Sequence, residues 1–118
     1  MSDTAVASTL KHVVEKANEA FASDDMEAFL NLCTDNVEWT MVGESTVKGK
    51  RAIREWMKSM DPGTPKIKVD RIVAEDDIAI ACGSFVMKNV AYDFCDVYRF
   101  EGDRIAALKA YVIKPKAQ

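Results

Sequence analysis

Tyr92-Asp93-Phe94-Cys95-Asp96-Val97-Tyr98-Arg99-Phe100, followed by Glu101-Gly102-Asp103 and then residues 105–113, is the stretch whose reading decides the fold. Side chains along a strand alternate between two faces, so Tyr92, Phe94, Asp96, Tyr98 and Phe100 share one face. Asp93, Cys95, Val97, Arg99 and Glu101 share the other. The first set is aromatic around a single carboxyl, which predicts that it faces the interior. The glycine-containing break predicts a hairpin into a second strand at 105–113.

Working outward, residues 66–74 and 78–87 also read as strands. Their breaks, Glu75-Asp76-Asp77 and Lys88-Asn89, are credible hairpin turns. Upstream the period changes. Val6, Leu10, Val13, Val14, Ala17, Ala20 and Phe21 recur at three- and four-residue intervals, which predicts a helix over 4–21 with one buried face, capped by Asp3 or Thr4. Asp24 with Glu27 three residues on fits a capping box for a short second helix burying Met26, Phe29, Leu30 and Cys33. Residues 37–42 alternate as a short strand, and Gly43-Glu44-Ser45-Thr46 reads as a turn. Ile53, Trp56, Met57 and Met60 mark a third helix over 50–60, ended by Asp61-Pro62-Gly63-Thr64-Pro65. Helices first and hairpin-linked strands afterwards predict one α+β domain over residues 1–118, with the helices on one face of a mostly antiparallel sheet.

Composition narrows the function classes. At 118 residues the chain is too short for two independent cores. Its 48% hydrophobic content is enough to fill one. Sixteen basic and nineteen acidic residues give a net charge of −3 with the signs interspersed, which argues against nucleic acid as a partner. The first ten residues lack a basic, then apolar, leader, and the strongest apolar run, residues 78–82, is too short to span a bilayer. A cytoplasmic protein without membrane association is the expectation. Cys33, Cys82 and Cys95 are widely spaced and His12 is the single histidine, so free thiols are expected and no metal site or disulfide framework.

Two segments carry a resemblance that covers almost the whole chain. Lys48-Gly49-Lys50-Arg51-Ala52-Ile53-Arg54-Glu55-Trp56 is similar to a glycine-led helix, and Asp96-Val97-Tyr98-Arg99-Phe100 through Gly102 to Ala110-Tyr111 to a hairpin, of the nuclear transport factor two-like superfamily. That superfamily includes ketosteroid isomerases, SnoaL-like cyclases and limonene epoxide hydrolases. The resemblance implies a sheet bent into a cone, three helices closing it, a pocket between them and a homodimer, for which Val97 and Tyr111 lie on the convex face.

Within that frame Asp96 is the candidate catalytic residue. A carboxyl among aromatic rings cannot ionise cheaply, so its pKa should rise. In ketosteroid isomerases the matching aspartic acid stays protonated and donates a hydrogen bond to a developing oxyanion. The rest of that apparatus is replaced here: the resemblance sets Ala17 and Met57 where the isomerases carry tyrosines, and Thr40 where they carry the general base. Glu38, on the same face of its strand as Thr40, is an alternative base, although Val37, Trp39 and Met41 on the other face are the more apolar set. Arg99 falls off the concave face, which disfavours an epoxide hydrolase relay.

Trp39 and Trp56 can stack on a flat ring or simply fill core, and Met57 likewise. With Phe94, Tyr98, Ala110 and Val112 they form the expected ligand-binding set. His12 lies beside the apolar stripe and should be solvated, and Lys48, Lys50, Arg51 and Arg54 read as a solvated helix face. The expectation is a pocket for a small apolar molecule, working without a cofactor by acid and base chemistry through Asp96 with Glu38 or Thr40 assisting. The rivals are a non-catalytic binder of a lipophilic ligand, a dimerising scaffold, or a pocket collapsed by Trp56 and Met57.

Overall fold

A computed structural model of the chain describes residues 3–59 and 65–114. The elements run α1 (Asp3–Ala22), α2 (Met26–Leu30), β1 (Cys33–Met41), β2 (Ser45–Lys48), α3 (Lys50–Lys58), β3 (Lys66–Glu75), β4 (Ile78–Met87), β5 (Val90–Glu101) and β6 (Arg104–Ile113). One curved, unclosed sheet has the order β2-β1-β6-β5-β4-β3. Every neighbouring pair is antiparallel except β1 and β6, which run parallel. The parallel pair follows from connectivity, since α3 and four further strands separate β1 from β6 and a hairpin is not required. The α+β class and the mostly antiparallel sheet are as the sequence predicts.

The alternation of β5 is realised: Phe94, Asp96, Tyr98 and Phe100 are buried while Asp93, Arg99 and Glu101 are exposed. Its inner face meets the buried stripe of α1, Leu10, Val14, Ala17 and Ala20, and the pair Phe29 and Leu30 of α2. The turns take the backbone that hairpins demand. Lys88 and Asn89 have φ of 52° and 65°, the left-handed pair of a tight two-residue turn, and Gly102 has φ 62°. Gly83 has a different reason to be glycine. A Cβ there would run into the Lys68 carbonyl oxygen, because β3 carries a bulge between Val69 and Arg71 that brings its backbone down onto β4.

Three local readings change. The cap of α2 is Asp25 rather than Asp24: its carboxylate accepts from the Ala28 N–H at 3.1 Å, while Asp24 takes φ 55° in the turn. Glu27 is thereby freed to receive both N–H groups of Arg54 at 2.6 and 3.0 Å, tying α2 to α3. Residues 45–48, expected as turn and connector, form the edge strand β2, which β1 recruits by pairing Thr46 with Thr40 and Lys48 with Glu38. Cys33 opens β1 instead of closing α2, though it remains buried and donates its S–H to the Phe29 carbonyl at 3.3 Å. The expected caps Asp3 and Thr4, the apolar Met60 and the breaker at 61–64 lie outside the described residues and side chains.

Candidate functional site

A cavity of about 180 Å³ lies between the helices and the inner face of the sheet. Its helical wall is Asn18 and Phe21 of α1 with Trp56 and Met57 of α3; its sheet wall is Trp39 and Met41 of β1, Ile67 of β3, Phe85 and Met87 of β4, Phe94 and Asp96 of β5, and Ala110 and Val112 of β6. Pro65 completes it.

The register explains why space exists at this level. Asp96 pairs with Ala81 on one side and Ala110 on the other, and Ala110 pairs in turn with Met41. Two methyl groups flank the carboxyl, so that row leaves a hollow where larger side chains would meet the helices. In the next row on one side Tyr98 pairs with Leu108 and both are fully packed, which closes the cavity there. In the next row on the other side Phe94 pairs with Val112, which is 37% exposed, so the cavity widens in that direction.

Aromatic rings form two walls. Trp39 meets Trp56 edge-on, 5.4 Å between centroids at 72°, and packs against Phe21 and Phe29. Across the cavity Phe85 stacks on Tyr92 at 4.9 Å and tilts against Phe94. Edge-on and offset arrangements match the charge distribution of the rings, so these walls are well packed without being flat.

Among the described residues Asp96 is the one ionisable side chain lining this cavity, and it is 9% exposed. Its carboxyl makes no hydrogen bond or ion pair to any described residue, and burial pushes its pKa up to about 7. With neither a cation nor a donor to hold the charge, desolvation acts unopposed and the neutral acid persists close to neutrality. Asn18 and Asp96 are the two buried side chains of amide or charged type among the described residues, and both line this cavity. Asn18 donates through Nδ2 to the Val14 carbonyl at 3.1 Å, and its Oδ1 receives no donor from a described residue. The indole N–H of Trp39 also lacks an acceptor. Chemically the cavity is an apolar chamber with one proton donor or acceptor that switches near neutral pH, one amide and one indole.

The expected lining residues Trp39, Trp56, Met57, Phe94, Ala110 and Val112 are brought together with Asp96. Tyr98 is not among them: it lies two pairs beyond Asp96, fully buried, with its hydroxyl unpartnered among the described residues. Glu38 and Thr40 are not brought to Asp96 either. Val37, Trp39 and Met41 take the inner face of β1, which turns Glu38 outward to Lys48 at 3.4 Å and Thr40 outward to the Thr46 hydroxyl at 2.9 Å. The expectation that either assists Asp96 is corrected by that parity. Arg99 and His12 are exposed, away from the cavity. Asn18 was legible as an amide inside an apolar stripe, four residues after Val14 and three before Phe21. Among the described residues no cluster of three or more His, Cys, Asp or Glu stands ready to hold a metal ion.

Comparison with known proteins agrees with this architecture. No curated protein matches the chain in sequence. Among solved structures, a protein from Kribbella flavida provisionally named a ketosteroid isomerase superposes with TM-score 0.82 at 12% identity, covering 95% of this chain and 82% of that one. A nuclear transport factor two-like protein of unknown function from Burkholderia xenovorans gives 0.82 at 17% identity, with 94% and 88% covered. An epoxide hydrolase of the limonene type from Mycobacterium tuberculosis gives 0.77 at 18% identity, with 90% and 84% covered. These likenesses concern the fold. In sequence, residues 14–108 match the SnoaL-like domain, a span that runs from the buried stripe of α1 to the strand beside Asp96. The chain therefore belongs to the SnoaL-like family of the nuclear transport factor two-like superfamily.

Proposed function

We propose that the cavity binds a small, largely apolar molecule and that Asp96 exchanges a proton or hydrogen bond with it, giving an enzyme of the isomerase, cyclase or dehydratase kind. One observation carries the reading. Among the described residues Asp96 is the sole ionisable group lining an aromatic-walled cavity and has no partner, and burial holds its pKa at about 7. A group poised near ambient pH is at its most effective as a general acid or base. Because one carboxyl must both accept and return the proton, a shift of a proton between two nearby atoms suits the site better than a reaction needing a separate acid and base. At about 180 Å³ the cavity is smaller than the pockets of about 300–1,000 Å³ that enclose drug-sized ligands, which favours a substrate of one or two rings. Asn18 Oδ1 suits a hydroxyl or N–H on that substrate.

The experiment is a screen of mono- and bicyclic ketones and enones for proton exchange with deuterated water, comparing the native chain with Asp96→Asn. Exchange that is present in the native chain and lost in a folded variant supports the proposal; equal exchange in both overturns it. A non-catalytic binder is the second reading, favoured because no second titratable group among the described residues lines the cavity. It predicts a ligand retained through purification and visible by native mass spectrometry. A second copy of this chain is the proposed partner of the outer sheet face, where Val73, Tyr111 and Ile113 are exposed. Sedimentation velocity should show a dimer, and Tyr111→Glu should weaken it.

A further inference from the structure

On the sheet face opposite the cavity, Cys82 of β4 and Cys95 of β5 stand directly across from each other, and the Cys82 S–H points at Cys95 Sγ 3.6 Å away. Both are free and half-buried, unlike Cys33, which is fully buried and hydrogen-bonded to backbone. The type of pair matters. The two-residue turn at Lys88-Asn89 is closed by the hydrogen-bonded pair Met87 and Val90, and pairs alternate in type along an uninterrupted antiparallel ladder. Five pairs along, Cys82 and Cys95 fall on a non-hydrogen-bonded pair. There the Cα atoms approach to about 4.5 Å, inside the roughly 4.4–6.8 Å that disulfides span. Rotation of the two side chains closes the remaining gap between the sulfurs without moving the strands.

We propose that Cys82 and Cys95 form a covalent modification site at which a peroxide-class oxidant closes a disulfide across β4 and β5. The chemistry balances. One sulfur attacks the peroxide oxygen, breaking the O–O bond and forming a sulfenic acid as water leaves. The second sulfur attacks the sulfenic sulfur, forming the S–S bond and releasing a second water. Two thiols are oxidised by two electrons, and one peroxide is reduced to two waters. Burial pushes the Cys95 thiol up to about 11, so Cys95 keeps its proton and serves as the second sulfur of the sequence.

The test uses the full chain, reduced and then treated with hydrogen peroxide in slight excess, alkylated under denaturing conditions and weighed intact. Trypsin cuts after Lys88, between the two cysteines, so a disulfide joins two peptides that part again on reduction. The expected result is the joint loss of two thiols, a mass lower by about 2 Da before alkylation, and Cys33 still free. Cys33→Ala should behave identically, while Cys82→Ser and Cys95→Ser should each form no bond within the chain. Retention of all three thiols would overturn the proposal. So would a bond between chains, or oxidation of one cysteine to sulfinic acid with the other still free. Mapping of the native chain decides the matter even if a serine variant fails to fold.

Discussion

Asp96 sits between two alanines in the sheet, faces aromatic rings across the cavity and meets no counter-charge among the described residues, so its ionisation and the protein's stability are linked. Burial raises its pKa from 3.8 to about 7, and the folded chain therefore holds the proton more tightly than the unfolded one. The stabilisation this gives is complete below about pH 4 and is lost as pH rises through 7. The full span corresponds to about 4 kcal/mol. Asp96→Asn removes the titration, so the native chain should lose stability relative to the variant between pH 5 and pH 8, and at pH 8 the variant should be the more stable. Urea unfolding at the two pH values measures this, and a constant difference would show that the carboxyl is solvated. At Asn18 the expected effect is on ligand and not on fold. Asn18→Leu keeps an apolar helix face and removes the amide, so a hydroxylated probe should lose about tenfold in affinity while a hydrocarbon probe keeps its own. Isothermal titration of the two probes distinguishes them.

Strands and helices here are placed by parity, register and a few constrained backbone sites. A single step of parity along β1 separates Trp39, in the cavity wall, from Glu38 and Thr40, half-buried on the outer face. The more apolar set, Val37, Trp39 and Met41, takes the inner face as its composition favours, against the placement that the resemblance implied for Thr40. Capping is a similar case. Asp24 and Asp25 are both competent acceptors, and the turn after α1 selects the second because the first is needed in a left-handed conformation. Asp25→Ala should cost about 1 kcal/mol. Gly83 has no room for a side chain: Gly83→Ala sets a methyl against the Lys68 carbonyl and must displace the β3 bulge. A loss of about 1–3 kcal/mol in chemical denaturation is expected, and an unchanged midpoint would mean that β3 moves freely.

For the molecule as a whole, the cavity results from where small side chains line up across strands. Ala81, Asp96 and Ala110 come from three consecutive hairpin-linked strands and meet in one row. Ala110→Leu should fill the hollow beside Asp96. The variant is expected to fold, to lose binding of a bicyclic probe by more than tenfold and to retain binding of a much smaller one, as calorimetry or ligand-detected NMR would show. Equal losses for both probes would place the bound molecule elsewhere. The outer face, with its exposed apolar side chains and its facing thiols, is chemically separate from this chamber. No helix of the described residues is long and apolar enough to cross a membrane.

By itself the sequence determined the α+β class, most element positions, the inner face of β5 and the solitary acid on it, because burial imprints periods of two and 3.6 residues that local reading can detect. The glycine-led helix and the hairpin at Asp96 determined the family for the same reason: they are contiguous. What only the tertiary structure decided lies between segments. It set the parallel pairing of β1 with β6, the recruitment of β2, the outward turn of Glu38 and Thr40, and the row of alanines that opens the cavity. It also set the exclusion of Tyr98 and the approach of Cys82 to Cys95. Each depends on which residues face one another across strands or across the helix–sheet interface, and pairing between segments leaves no periodicity within either one to read.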